Sequence, residues 1–276
     1  MSFPTKELTA LWSDAEYFAF NAVNASSLKH LVKSPQKYQW AKANPKAPTP
    51  TMTLGSAIHC LTFEPLAFEE RYAVWENGSR RTKAYREWAE EQEGKVILTA
   101  DEHEKALRTA RAAASHPLLN ELLQHPGTQV ERAMVWHGLF GLSKAKVDLV
   151  HNSPEHGIIV LDLKTTSSEL DEHSITHTMG KWLVHLQLYH YMYAALAHFD
   201  ISPRVNIPVR LIALYARTSG PHEVSAFELG SQTLIDTHLL YENLAESFET
   251  CHTSGHWPGQ PELRTIELPS YYSDIK

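Results

Sequence analysis

The stretch GIIVLDLKTT, Gly157 to Thr166, is apolar except for its threonines and for Asp162 and Lys164, which stand two positions apart. Residues two apart in a strand share a face, so Ile158, Val160, Asp162 and Lys164 point one way and Ile159, Leu161 and Leu163 the other. In the preceding stretch Ala145, Val147 and Leu149 alternate with Lys144, Lys146 and Asp148. A turn centred near Glu155 then sets Asp148 opposite Asp162, about 5.5 Å apart at the Cα level for antiparallel partners. Two ionised carboxylates brought together out of water repel unless something positive lies between them. A divalent cation resolves the conflict. Carboxylate oxygens suit Mg²⁺, which keeps several waters and shares the rest of its shell with phosphate oxygens. Lys164, on the face of Asp162, is placed to orient a metal-bound water or to help deprotonate it. A single Asp-x-Lys at a strand end is an ordinary solvated terminus; the acid on the neighbouring strand makes it a candidate site.

Two helical pairs add to it. GSAIH, Gly55 to His59, sets a histidine one turn after a glycine, and QLYHY puts Gln187 and Tyr191 on one helix face. Alone, each reads as packing, in a chain with 17 histidines. The elements that carry these residues follow from periodicity. Up to about residue 125 the pattern is helical: NASSLKHLVKSPQKYQWAKAN offers serine N-caps and then Pro35 as a helix start, TMTLGSAIHCLTF has helical spacing, and Thr99 with Glu102 forms a capping-box signature. From about residue 129, QVERAMVWHGLFGLSKAKVDLV reads as two strands around a glycine-bearing turn, and NSPEHG leads into the third strand of a meander. KWLVHLQLYHYMYAALAHF returns to helical spacing, VRLIALYAR and VSAFEL read as strands, and SQTLIDTHLLYENLAESFETCH closes as a helix. The expected fold is α/β (α+β), a central mixed sheet flanked by helices. The expected organisation is one domain over 1–276, with 1–128 mainly helical and 129–276 carrying the sheet.

Composition removes other classes. Two cysteines, Cys60 and Cys251, are too few for a disulfide framework or an iron–sulfur cluster. No phosphate-cradling G-x-x-x-x-G-K-[ST] loop occurs, so no ATP use is expected, and there is no H-E-x-x-H helix or G-x-S-x-G elbow. The chain has no run of about 18 apolar residues and no basic-then-apolar leader, which predicts a cytoplasmic protein without a membrane partner. A net charge of −7 excludes a uniformly basic coat but not a basic groove. Basic residues cluster at Arg80, Arg81, Lys83 and Arg86, along Lys29 to Lys46, and at Lys144 and Lys146.

Helical G-x-x-x-H, an acid on one strand, D-x-K on the next and Q-x-x-x-Y on the following helix together resemble the PD-(D/E)xK nuclease superfamily in its RecB-like and lambda-exonuclease-like branch. The resemblance is closest to the RecE-type nuclease domain and runs through NASSLKHLVKSPQKY, LGSAIHCLTFEP, RRTKAYREW, VDLV…LDLKTT, HLQLYHYMYA and HWPG. It implies a restriction-endonuclease-like core in which His59, Asp148, Asp162 and the Leu163 carbonyl bind metal, Glu131 serves a second metal or lies exposed, and Lys164 positions water. Gln187 and Tyr191 would support the site or touch the scissile strand. Ser27 and Lys29, in an SSLK segment, Arg80, Arg81, Lys83 and Lys144 would contact DNA. It further implies Mg²⁺, with Mn²⁺ as a substitute, a homo-oligomeric ring (tetramer, or trimer) around double-stranded DNA ends, and 5′-to-3′ digestion that leaves 3′ overhangs. A RecT-like single-strand annealing protein is the implied partner, in phage-type recombination and repair. Two competing readings are a RecB-type single-strand nuclease and a non-catalytic DNA-end-binding scaffold. Many of the former carry a four-cysteine cluster or a fused helicase, and converging carboxylates without metal would repel the phosphates that a scaffold has to hold.

Overall fold

The computed structural model describes residues 12–204, 207–261, 263 and 265. Short capped helices come first. Ser13 and Glu16 close a capping box on Asp14–Ala19 (α1), and Asn24 with Ser27 does the same for Ala25–Leu31 (α2). The cap of α2 is therefore Asn24 rather than Ser26 or Ser27: its side-chain oxygen accepts from the Ser27 N–H at 2.9 Å, and the Ser27 hydroxyl accepts from the Asn24 N–H at 3.1 Å. Ser34 and Thr49 cap Pro35–Ala43 (α3) and Pro50–Phe63 (α4), each with proline in the first turn, where a missing N–H costs nothing. The segment Phe68–Arg71 (α5) leads to a small parallel pair, Tyr72–Trp75 (β1) and Val96–Thr99 (β2), which brackets Lys83–Glu90 (α6). The capping box of Thr99 and Glu102 opens Ala100–Ala114 (α7), as its spacing predicts, and Pro117–Gln124 (α8) follows.

The main sheet has five strands in sequence order: Thr128–Gly138 (β3), Gly141–Ser153 (β4), Gly157–Thr166 (β5), Val209–Arg217 (β6) and Val224–Glu228 (β7). All neighbours are antiparallel except β5 and β6. That parallel step needs a crossover, supplied by Glu172–Lys181 (α9) and Val184–His198 (α10); Ser231–Ser254 (α11) closes the described elements. Gly157 turns the chain into β5 at φ +67°, and a Cβ there would come within 2.4 Å of the Pro208 carbonyl.

β5 lies between β4 and β6 and is buried on both faces, hence its nearly continuous apolar run. Ile158 and Val160 pack with Leu28 of α2 and with Leu188, Ala194 and Ala195 of α10. Ile159, Leu161 and Leu163 pack on the opposite side with Ala57 and Ile58 of α4 and with Ala106, Ala110 and Ala113 of α7. The two-faced alternation expected of this strand is thus what the core contains, and it brings α4 and α10 to opposite faces of one strand end.

Behind that end, His190 of α10 is fully buried between the Tyr241 hydroxyl, at 2.9 Å, and the Lys144 carbonyl, at 3.2 Å. Burial pushes its pKa down to about 4, against a small opposing effect of the carbonyl. A histidine depressed in this way is neutral when folded and charged when unfolded, so stability is lost as pH falls from 6.5 toward 4, by on the order of 3 kcal/mol. In thermal melts, His190→Gln should show a shallower loss of Tm across that window than the parent; an unchanged slope would remove His190 from the acid response.

Candidate active site

At the C-terminal end of β5 the α4 and β4 sides meet in a cleft of about 490 Å³, lined among others by Gly55, His59, Glu131, Lys146, Asp148, Leu163 and Lys164, with Asp14 and Phe18 of α1 at its margin. The β4–β5 register runs as anticipated from Ser153↔Gly157 to Leu149↔Leu161, and the described pairing ends there, one residue short of Asp148 and Asp162. The alternation along β4 does not hold through this point. Val147 and Val150 join one core and Leu149 the other, so the faces slip at Asp148. On β3 the residue between the flanking rungs, Glu131, takes a left-handed φ of 48°. A non-glycine residue with such a φ is strained and persists where the surroundings hold it in place. Here the distortion turns Asp148 and Glu131 together toward His59.

His59 Nδ1 lies 3.3 Å from Asp148 Oδ2 and 4.0 Å from Glu131 Oε1. One ligand atom from each of these three residues falls within 4.8 Å of the others. Asp148 Oδ2 also accepts the Leu163 N–H at 2.8 Å. Glu131, which sequence reasoning left between a ligand and an exposed residue, is inside the site with its side chain 12% exposed, and Lys146 pairs with it at 3.0 Å while reaching Asp14 at 2.6 Å. Asp162 stands beside this triad. Its Oδ1 accepts from Gln187 Nε2 at 2.9 Å, and Lys164 Nζ lies 2.6 Å from its Oδ2. Gln187 Nε2 also donates to the Tyr191 hydroxyl at 2.9 Å, so the Q-x-x-x-Y pair acts as one unit. Gly55 lets α4 approach β5 closely: a Cβ there would stand 3.4 Å from Thr165 Oγ1.

The charges are mutually conditioned. Burial opposes the imidazolium of His59, but Asp148 outweighs it and raises the pKa to about 9. Asp148 is itself held below the usual range, burial being overcome chiefly by His59. Burial and the Asp148 charge push Glu131 up against the pull of Lys146. Asp162 is pushed up mainly by burial, with Asp148 adding to it and Lys164 opposing.

A divalent metal fits this donor set. Asp162 Oδ2 is buried without a hydrogen bond and is matched by the Lys164 ammonium as an ion pair. Two carboxylates, those of Glu131 and Asp148, converge with the His59 imidazole, oxygen donors that suit Mg²⁺ and a nitrogen that favours Mn²⁺. In the metal-free protein the raised His59 pKa gives stability that is full below pH 6.5 and lost as pH rises through about 9. A bound cation needs the imidazole neutral and displaces its proton. Mn²⁺ affinity measured by calorimetry should therefore rise by about tenfold per pH unit between pH 6.5 and 8.5, with proton release. A flat profile would exclude His59 as a ligand.

The expected nucleic-acid contacts are distributed differently. Lys144 is a correction: it is 3% exposed, and its ammonium donates to the carbonyls of Tyr17 and Phe20, both at 2.6 Å, and lies over the Tyr17 ring. It holds the end of α1 and does not line a channel. Arg80 pairs with Glu102 and donates to the Ile97 carbonyl; Arg81 is exposed, and Lys83 is exposed in an i,i+4 pair with Glu87. Ser27 is used in the α2 cap, and Lys29 turns inward to Gln187. Lys146 and Asp14 were not anticipated at the site. For Lys146 the signal was present, two residues before Asp148 on the same face; for Asp14, which arrives from 132 residues away, none was.

A mixed sheet with a kinked β-meander that delivers acid, Asp-x-Lys and a helical histidine to one cleft is the PD-(D/E)xK arrangement. Within it the chain belongs to the family described as PDDEXK-like domain of unknown function (DUF3799), which matches residues 24–266. Among solved structures, a protein from Eubacterium rectale provisionally described as an exonuclease is similar over 96% of this chain and 99% of its own, at 12% identity and a TM-score of 0.62. That degree of likeness speaks for the fold. A phage-related exonuclease from Haemophilus somnus 129PT is similar over 87% of this chain and 98% of its own, at 11% identity and a TM-score of 0.36. No curated protein matches the chain in sequence. No helix among the described residues is long and apolar enough to cross a membrane.

Proposed function

We propose that the protein is a divalent-metal-dependent exodeoxyribonuclease that digests linear double-stranded DNA from 5′ ends, leaving 3′ overhangs for strand annealing. The observation that carries this reading is the convergence of His59, Glu131 and Asp148 beside the Asp162–Lys164 pair on one cleft wall. His59, Glu131 and Asp148 would hold Mg²⁺ or Mn²⁺, which supplies Lewis-acid stabilisation of the phosphodiester and a more acidic water. Asp162 anchors the Lys164 ammonium, which hydrogen-bonds the attacking water and keeps it in line with the scissile bond. Gln187 and Tyr191 brace Asp162 from the far face. Cleavage of the P–O3′ bond leaves 5′-phosphates.

The chain functions in this reading as one nuclease domain over 1–276, assembled into a homo-oligomeric ring, tetrameric or trimeric, that retains DNA without an ATP motor. A RecT-like annealing protein is the fitting consumer of its product. The test is digestion of linear duplex, covalently closed circular duplex and single-stranded DNA with Mg²⁺. The reading expects loss of linear duplex with closed circles intact. Equal cutting of closed circles would make the protein an endonuclease, preference for single strands would favour the RecB-type alternative, and end binding without cleavage would favour a scaffold. Light scattering on the eluted protein should give a mass three or four times that of the chain.

A further inference from the structure

Lys29 of α2 reaches across to Gln187 of α10, and this contact decides which way the Gln187 carboxamide points. Its ammonium donates to Gln187 Oε1 at 2.7 Å. An ammonium has three donors and no acceptor, so the amide has to turn its oxygen toward α2. The amide nitrogen is then aimed at the sheet, where it donates to Asp162 Oδ1 and to the Tyr191 hydroxyl, both at 2.9 Å. The reversed amide would set its NH₂ against the ammonium and its carbonyl against a buried carboxylate, an arrangement unfavourable at both ends. With Oδ1 satisfied from α10, Asp162 presents Oδ2 to Lys164 at 2.6 Å. Lys29, Gln187, Asp162 and Lys164 thus form one polar chain that runs from α2 to the cleft.

We propose that Lys29 is a positioning residue for phosphodiester hydrolysis: through Gln187 it locks the Asp162 carboxylate in the orientation that holds Lys164 at the cleft. This rests on the nuclease reading and gives Lys29 a different task from that of a phosphate contact. Outer partners of this kind typically cost about 10- to 100-fold when removed from metal sites.

Lys29→Met keeps the stem and its packing but cannot donate. On linear duplex with saturating Mg²⁺ it should lower kcat by about tenfold while leaving KM for DNA and Tm unchanged, and Lys29→Arg, which keeps a donor, should recover most of the loss. In a Gln187→Leu background Lys29→Met should cost nothing more, because the two act as one unit. The Gln187 side-chain amide resonance in a ¹⁵N–¹H spectrum should be sharp and dispersed in the parent and in Lys29→Arg, and averaged in Lys29→Met. The proposal is overturned if Lys29→Met raises KM and lowers the salt dependence of binding by about one charge with kcat intact, which marks a phosphate contact. It is equally overturned by an additive loss in the Gln187→Leu background or by an unchanged amide resonance. If the parent cleaves no DNA the nuclease reading falls, and the amide spectrum still decides whether Lys29 locks Gln187.

Discussion

Lys164→Ala is expected to lower single-turnover hydrolysis of linear duplex by at least about 10³-fold with DNA affinity nearly unchanged, since both a positioned proton-transfer group and transition-state charge stabilisation are removed. Among the described residues Lys164 is the one cation that pairs with Asp162 Oδ2, an atom buried without a hydrogen bond. Its ammonium therefore has a fixed place at the cleft wall, and its stem contributes little to the core, being a quarter exposed. Removing it leaves Asp162 buried with less compensation, so the acid takes up a proton more readily and the neighbouring charges relax. Lys164→Arg should not restore full activity, because the planar fork of a guanidinium does not reproduce the geometry of a compact ammonium. Quench-flow on end-labelled duplex, with affinity measured in Ca²⁺, separates chemistry from binding. Turnover within about tenfold of the parent would remove Lys164 from the mechanism.

Asp148→Asn should abolish cleavage and weaken Mn²⁺ binding by at least about 100-fold, more than loss of an outer partner would. One carboxylate serves three groups here: the His59 imidazolium at 3.3 Å, the Leu163 N–H at 2.8 Å and the proposed metal. An amide keeps an acceptor for Leu163 but carries no charge, so His59 loses the partner that lifts it to about 9 and titrates nearer its ordinary value. Stability separates the acids further. Asp148 is held below the usual carboxylate range, so its charge favours the fold and Asp148→Asn should lower the Tm of the metal-free protein. Asp162 is pushed above that range, so its charge opposes the fold, and Asp162→Asn should abolish activity without lowering the metal-free Tm. Calorimetry with Mn²⁺ and thermal melts in EDTA check both. If the two variants lost equal stability, the charge distribution argued for the cleft would be wrong.

Much of the site was legible because local periodicity encodes it. The faces of β5, the β4–β5 register up to Leu149↔Leu161, and the helical pairs Gly55–His59 and Gln187–Tyr191 follow from spacings of two and four residues. Thr99 with Glu102 and Pro35 announced helix starts that the structure has. What escaped is long-range or non-periodic. The slip of β4 at Asp148 depends on a left-handed Glu131, which strict alternation cannot express. Lys144 reads as a surface lysine by pattern, yet carbonyls from α1, more than 120 residues earlier, receive its ammonium. The β1–β2 pair has four residues per strand, too few for a period to emerge beside the helices that flank it. Lys29 lies on a helix face where basic residues usually meet solvent or phosphate, and no spacing ties it to Gln187.

The proposed hydrolytic site is single and metal-centred. It is tested most directly by incubating the protein with linear duplex in Mg²⁺, in Mn²⁺ and in EDTA, and determining the chemistry of the product ends. Hydrolysis with either ion, none in EDTA, and products bearing 5′-phosphates is the predicted result. Cleavage that survives EDTA, products bearing 3′-phosphates, or no cleavage with either ion would contradict it.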